Sequence, residues 1–189
     1  MIHHPKTVGI LTSVLTLISV PCIQVFAHPP VIKALNTNNR LSFNSYGHVK
    51  IGMTLNQAKQ STGEKLLPIG NTKADLDSEC GYVSPLGKSN PPVAFMVRHG
   101  HIVRMDIRQK TVQTLSGLSL GMSENRLKTM YHPLTVEPSK YIPGGHTYTY
   151  RSKLPAYATY SMRFETDGKT VTAIRSGKAE EVSWVEGCS

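Results

Sequence analysis

The chain has 189 residues, with 21 Lys and Arg against 12 Asp and Glu, a formal net charge of +9. That length lets one ordinary domain bury a real core, and no stretch beyond the first 27 residues is apolar enough to cross a membrane. The positive balance suits phosphorylated lipid headgroups, acidic glycans, an acidic envelope protein or simple solubility, whereas no aromatic-interleaved basic motif points to nucleic acid.

The opening residues, MIHHPKTVGILTSVLTLISVPCIQVFA, read as a secretory signal. A short basic region ends at Lys6, an apolar run covers Val8 to Val20, and Val25 and Ala27 are the small residues that signal peptidase requires. Pro21 and Gln24 interrupt a run already short of a bilayer span. Pro21 also stands before Cys22 where a lipoprotein signal wants Gly or Ala, so lipid attachment is disfavoured. Cleavage after Ala27 gives a secreted or periplasmic protein, not membrane-spanning, with residues 28–45 as an N-terminal linker. It leaves two cysteines, Cys80 and Cys188, in an oxidising compartment, and the simplest expectation is one disulfide between them. On the chain-entropy model, closing so long a loop stabilises by roughly 4–5 kcal/mol.

The linker leads to HVKIGMTLNQAKQ, residues 48–60, and 69 residues after Gly52 the phrase returns as GLSLGMSENRLKT, residues 117–129. In the first copy Thr54 and Gln57 make a capping box that opens a helix, and Gly63 closes it. In the second, Ser123 caps, Glu124 suits the positive helix start, and Leu127, Met130 and Tyr131 form an apolar stripe before Pro133. Downstream, VAFMVRHGHIVRMDI (93–107) corresponds to SMRFETDGKTVTAIR (161–175). Each predicts a hairpin, turning at His99-Gly100 and at Asp167-Gly168, with positive φ at both turn residues. CGYV (80–83) and YTYR (148–151) predict a preceding strand, and KTVQTL (110–115) and EEVSWV (180–185) a following one. The prediction is an α+β fold of two tandem repeats, 46–116 and 117–189, each a short helix with antiparallel strands. Neither buries enough surface alone, so the two pack into one body.

A Gly-Met-Thr or Gly-Met-Ser turn before a short helix, followed by an antiparallel sheet and duplicated in a secreted chain, resembles the β-lactamase inhibitor protein family. The single unit is also similar to small outer-membrane assembly lipoproteins. The whole, ending VEGCS, resembles uncharacterised secreted bacterial proteins of tandem architecture. The resemblance covers roughly residues 46–189 and implies a concave sheet that grips an enzyme loop; fold carries over better than function.

Catalytic patterns are absent: the chain has no Gly-x-Ser-x-Gly elbow, phosphate loop or His-Glu-x-x-His helix. His99 and His101 flank a glycine without a second pair of ligands, so neither metal nor cofactor is expected. Two surfaces offer binding chemistry. The segment EPSKYIPGGHTYTY, 137–150, is stiffened by prolines and carries Lys140, Tyr141, His146, Tyr148 and Tyr150, residues suited to an interface or a sugar platform. The alternative is that Tyr148 and Tyr150 fill the core. The second surface is Arg98, His99, His101, Arg104 and Arg108, where the arginines share strand parity and make a basic stripe on the outer face, the alternative being a merely solvated face. A non-enzymatic envelope binding protein is the first expectation, an inhibitor of a secreted or periplasmic hydrolase the second, and an enzyme the third. The processing step is directly measurable: the intact mass of the exported protein should correspond to a chain beginning at His28, and a product retaining residues 1–27 would overturn the assignment.

Overall fold

The computed structural model describes residues 1–2, 33–69, 80–85 and 87–188. The expected export signal with Cys22, and the polar segment 70–79, lie outside the described residues. The fold is α+β: among the described residues, three short α-helices accompany two sheets.

The central elements are the two expected hairpins. β-Branched, aromatic and long apolar residues favour extended chain, and they dominate Val93–Arg98 and His101–Ile107. Numbering strands in chain order, a small sheet takes β1 (Arg40–Leu41), β2 (Ser45–Tyr46), β3 (Val49–Lys50) and β8 (Gln113–Thr114). The large sheet contains β4 (Leu66–Pro68), β5 (Cys80–Pro85), β6 (Val93–Arg98) and β7 (His101–Ile107). It continues with β9 (Thr135–Pro138), β10 (His146–Tyr150), β11 (Tyr160–Thr166) and β12 (Val171–Lys178). Its order is β4-β5-β6-β7-β12-β11-β10-β9, antiparallel throughout. The chain builds inward from the edge strand β4 to β7 in one half and from the edge strand β9 to β12 in the other, and the halves join where β7 and β12 pair, Arg104 opposite Gly177 through Ile107 opposite Ile174.

Helix α1 (Leu55–Thr62) begins with the expected capping box of Thr54 and Gln57 and ends at Gly63 in the left-handed conformation, φ 72°. Helix α2 (Glu124–Met130) begins at Ser123, whose side chain accepts from the Arg126 N–H. The turns before both helices dock identically. Gly52 N–H donates to Ile102 O and Ile102 N–H to Met53 O. With every number raised by 69, Gly121 N–H donates to Val171 O and Val171 N–H to Met122 O. Ala58 of α1 and Leu127 of α2 then enter one continuous core with Phe95, Met105, Phe164 and Ile174 from the inner face of the large sheet. Leu41, Tyr46 and Val49 of the small sheet close that core.

Three local expectations are corrected. Residues 180–185 do not extend the sheet: helix α3 occupies Ala179–Ser183, and its acidic first turn suits a helix start better than a strand. Of 110–115 only Gln113–Thr114 is extended, and it pairs parallel to β1 in the small sheet. The first hairpin turns as expected, with His99 at φ 48° and Gly100 at φ 73°, but in the second only Gly168 has positive φ. There the Asp167 carboxylate accepts from the N–H groups of Lys169 and Thr170, a side-chain-closed turn longer than the two-residue one.

At the central junction Gly177 has φ 149°, and a Cβ built there falls 2.3 Å from Val103 O and 2.8 Å from Arg104 Cα. No backbone adjustment accommodates that without separating β7 from β12. Gly177→Ala should therefore cost about 2 kcal/mol or more, roughly 5 °C for a chain of this size, measured by circular-dichroism melting; an unchanged melt would show that the junction is not closely constrained.

Candidate functional site

Strand alternation sends one set of side chains of the large sheet into the core and the other to the opposite, outer face. Most of those outer residues are polar, Tyr82 on β5, Arg104 and Asp106 on β7, Arg175 on β12, Arg163 and Glu165 on β11, with Ala94 and Met96 of β6 and Ala173 of β12 set among them. Arg104 is nonetheless only 1% exposed. Its Nε and Nη2 donate to Asp106 Oδ1 and Oδ2 at 2.8 and 2.9 Å. Its Nη1 donates to Glu181 O and Trp184 O, both at 2.8 Å, and its Nη2 also donates to the Tyr82 hydroxyl. Burial, reinforced by the Asp106 carboxylate, pushes the Tyr82 phenol up to about 12, so it remains protonated at any physiological pH.

The carbonyls that Arg104 binds belong to α3 and the residue that ends it, so the arginine pins a C-terminal strap across the outer face. Arg98 holds the same strap from the next strand. It pairs with Glu180 at 3.0 Å and Glu181 at 3.1 Å and lies over the Trp184 ring, 4.9 Å from its centroid. Beyond Trp184, Glu186 reaches the loop between β9 and β10: Lys140 Nζ is 3.3 Å from its carboxylate and the Tyr141 hydroxyl donates to it. Those contacts, Tyr141 foremost, draw the Glu186 carboxyl below its ordinary value. Cys188 is disulfide-bonded to Cys80 of β5, with Cα atoms 5.4 Å apart. Open cavities remain on both sides of the strap. One of about 520 Å³ is lined by Arg98, Lys140, Trp184 and the disulfide, and one of about 420 Å³ by Tyr82, Arg104, Asp106, Arg108 and Arg175.

The sequence-predicted binding residues separate into two places. Lys140 and Tyr141 lie at the edge of the outer face, with Tyr141 57% exposed. His146 and Tyr148 instead turn inward towards α2, where both touch Glu124. Tyr148 is buried, and Tyr150 packs with Phe43 and Tyr131. The basic stripe shares one face as parity predicts, but it is not solvent-facing: Arg104 is buried and Arg98 is neutralised by α3. Arg108 remains half exposed, 3.7 Å from Asp106. His99 and His101 serve the hairpin turn, the His101 Nδ1 lying 2.8 Å from His99 O. Among the described residues no group of three His, Cys, Asp or Glu is placed to hold a metal ion.

Sequence reading missed Arg163, Glu165 and Arg175 as outer-face residues. The signal was present, since Arg163 and Glu165 alternate with the buried Met162 and Phe164. It also missed the buried cluster at Glu124, which receives Tyr148 Oη and Thr166 Oγ1 at 2.7 Å, Lys128 Nζ at 2.6 Å and His146 Nδ1 at 3.1 Å. Burial pushes this carboxyl up, but the hydrogen bonds of Lys128, Tyr148, Thr166 and His146 together outweigh it and hold the group at about 2.

Comparison with solved structures returns the uncharacterised protein YfeY of Escherichia coli, 11% identical, with a TM-score of 0.43 over 74% of this chain and 99% of that one. No family model matches the chain, and the search of curated proteins finds no significant match.

The Glu124 cluster gives stability a defined pH dependence. Its folded-state value of about 2 lies below the ordinary 4.5, so its contribution is complete above about pH 4.5 and is lost as the pH falls towards 2. Melting temperatures measured from pH 6 to pH 2 should fall across that window. Glu124→Gln should flatten the fall, leaving a residual slope from Asp167 and Glu186, whose carboxyls are also held below their ordinary values. An equally steep fall in the variant would remove Glu124 from the account.

Proposed function

We propose that the protein is a non-enzymatic binding protein of the bacterial envelope, secreted or periplasmic, which presents the outer face of its large sheet to a partner. The observation that carries this reading is the contrast between the sheet's two faces. The inner face is consumed by the core, whereas the outer face keeps charged residues, open cavities and the exposed Lys140–Tyr141 loop. The part of that face left uncovered by α3, with half-exposed Arg108 and the exposed Lys140 and Tyr141 at its edge, is polar with an aromatic at its border, the composition of a recognition surface. Export is supported by the apolar opening of the sequence and by the disulfide, which suits an oxidising compartment.

A second reading, an inhibitor of a secreted or periplasmic hydrolase, is favoured by one feature. The Gly-Met turns dock with the same backbone bonds at an offset of 69, as expected of a tandem duplication over 46–116 and 117–189 and of the resemblance to the β-lactamase inhibitor protein family. A one-to-one complex with a hydrolase, accompanied by loss of its activity, distinguishes this reading from the first.

The deciding experiment is affinity capture from envelope extract with residues 28–189 as bait, followed by titration of the captured partner. Replacing Lys140 and Tyr141 with alanine should weaken binding tenfold or more, about 1.4 kcal/mol. The melting temperature should hardly move, because the exposed contacts to Glu186 contribute little. Unaltered binding with an early melt would show that the loop serves folding alone.

A further inference from the structure

Arg104 has an acceptor for each of its five N–H donors; Arg163, on the same face, does not. Arg163 stands on β11 directly opposite Arg175 of β12, and the nearby carboxylate serves only one of this pair. Glu165 accepts from Arg175 at 2.7 Å. Arg163 is left with Glu137, whose Oε2 is 3.8 Å from Nη2, beyond hydrogen-bond reach, on a side chain that is 61% exposed. The Arg163 side chain is itself only 14% exposed, and its Nε is shielded from solvent without any acceptor. A guanidinium cannot relieve this by giving up its proton.

Two cavities meet at this residue. One, of about 250 Å³, runs between Arg163, the 138–142 loop and Val185. The other, of about 230 Å³, extends to Thr135, Thr149, Arg151 and Ser161 beside α3. Both border β9, the outermost strand of the large sheet, all four residues of which are exposed.

We infer that Arg163 and the cavities on either side of it form a subsite for a carboxylate carried on an extended peptide segment of the partner, lying alongside β9. The inference rests on the binding-protein reading above and names its ligand chemistry. A carboxylate matches a guanidinium in plane and in spacing, so one group engages two donors. The two cavities are lined by Lys140, Arg151 and Arg163 against Glu137 and Glu165, three positive charges less two negative, and that net single positive charge fits a monoanion better than a phosphate dianion. The cavities on both sides receive the residues before and after the acidic one, and the open edge of β9 is the natural neighbour for an extended chain. Glu137 competes for the same guanidinium and gives way when the ligand binds.

The test is a titration of the purified protein, following the Arg163 Nε–H signal by NMR. The probes are acetate, inorganic phosphate, the blocked pentapeptide Ac-Ala-Val-Glu-Val-Ala-NH2, its Gln analogue, and that analogue with a free C-terminal carboxylate. The Glu peptide should shift the signal and bind at least tenfold more tightly than the blocked Gln analogue. The free-terminus probe separates a side-chain carboxylate from a terminal one, either being consistent with the subsite. Arg163→Gln should abolish the discrimination. Glu137→Gln, which removes the competitor without touching the arginine, should tighten the Glu peptide several-fold. Equal binding of the blocked Glu and Gln peptides, with no gain from the free C-terminus, overturns the inference. So do weaker binding in Glu137→Gln, phosphate preferred over every carboxylate, or no binding at all. In any of these cases the binding-protein reading still stands if envelope capture succeeds, and falls only if that capture fails.

Discussion

The burial of Arg104 constrains everything on the outer face of the sheet. Withdrawing a guanidinium from water costs several kcal/mol unless every donor is matched. Here the matches come from four residues on three separate stretches of chain: Asp106 two residues on, Tyr82 on β5, and the backbone carbonyls of Glu181 in α3 and of Trp184 just after it. A short helix has few internal bonds for its last carbonyls, so arginine and helix each remedy the other's deficit. Removing one partner from such a group costs about 3–5 kcal/mol because the remaining charge stays buried. The pairing therefore determines where α3 can lie, and with it the course of residues 184–188.

The same strand also joins the halves. Arg104 lies opposite Gly177 in the strand pairing that, among the described residues, connects β4-β5-β6-β7 with β12-β11-β10-β9. The glycine whose missing side chain leaves room for the β7 backbone thus stands opposite the residue that anchors the strap. Hydrophobic contacts unify the inner face, as Phe95, Met105, Phe164 and Ile174 share one core. On the outer face unity depends on a few directional polar contacts, those of Arg98 and Arg104 with α3. Burial supplies magnitude on one side of the sheet and hydrogen-bond geometry supplies position on the other.

Much of the inner half was legible in the sequence because it follows local rules. Thr54 with Gln57, Ser123 and Gly63 mark helix ends by capping chemistry, and His99-Gly100 marks a two-residue turn by its tolerance of positive φ. The outer face depends on contacts distant in sequence and was read poorly. EEVSWV has the alternation of a strand, yet an already complete sheet and the carbonyl-seeking Arg104 make helix the better solution there. Arg98, Arg104 and Arg108 have the parity of a solvated stripe, and no local pattern reveals that α3 covers it. Tyr148 and Tyr141 lie seven residues apart in one candidate loop, but the sheet places the first against Glu124 and leaves the second exposed. Parity distinguishes faces; it does not say which face will be covered.

The bond between Cys80 and Cys188 closes a covalent ring that contains all of β5 to β12 and, among others, the exposed stretches around Lys88, Lys140 and Lys153. A protease that cuts any one of those loops opens the ring but releases nothing, since both new ends remain attached through the disulfide and through the sheet. Two cuts are needed before a fragment can leave, and the piece between them must also be torn from its neighbouring strands. Exposed loops of this kind are the usual points of proteolytic attack. The penultimate residue thus turns a nick into a tolerable injury, and cleaved molecules should keep their size until they are reduced.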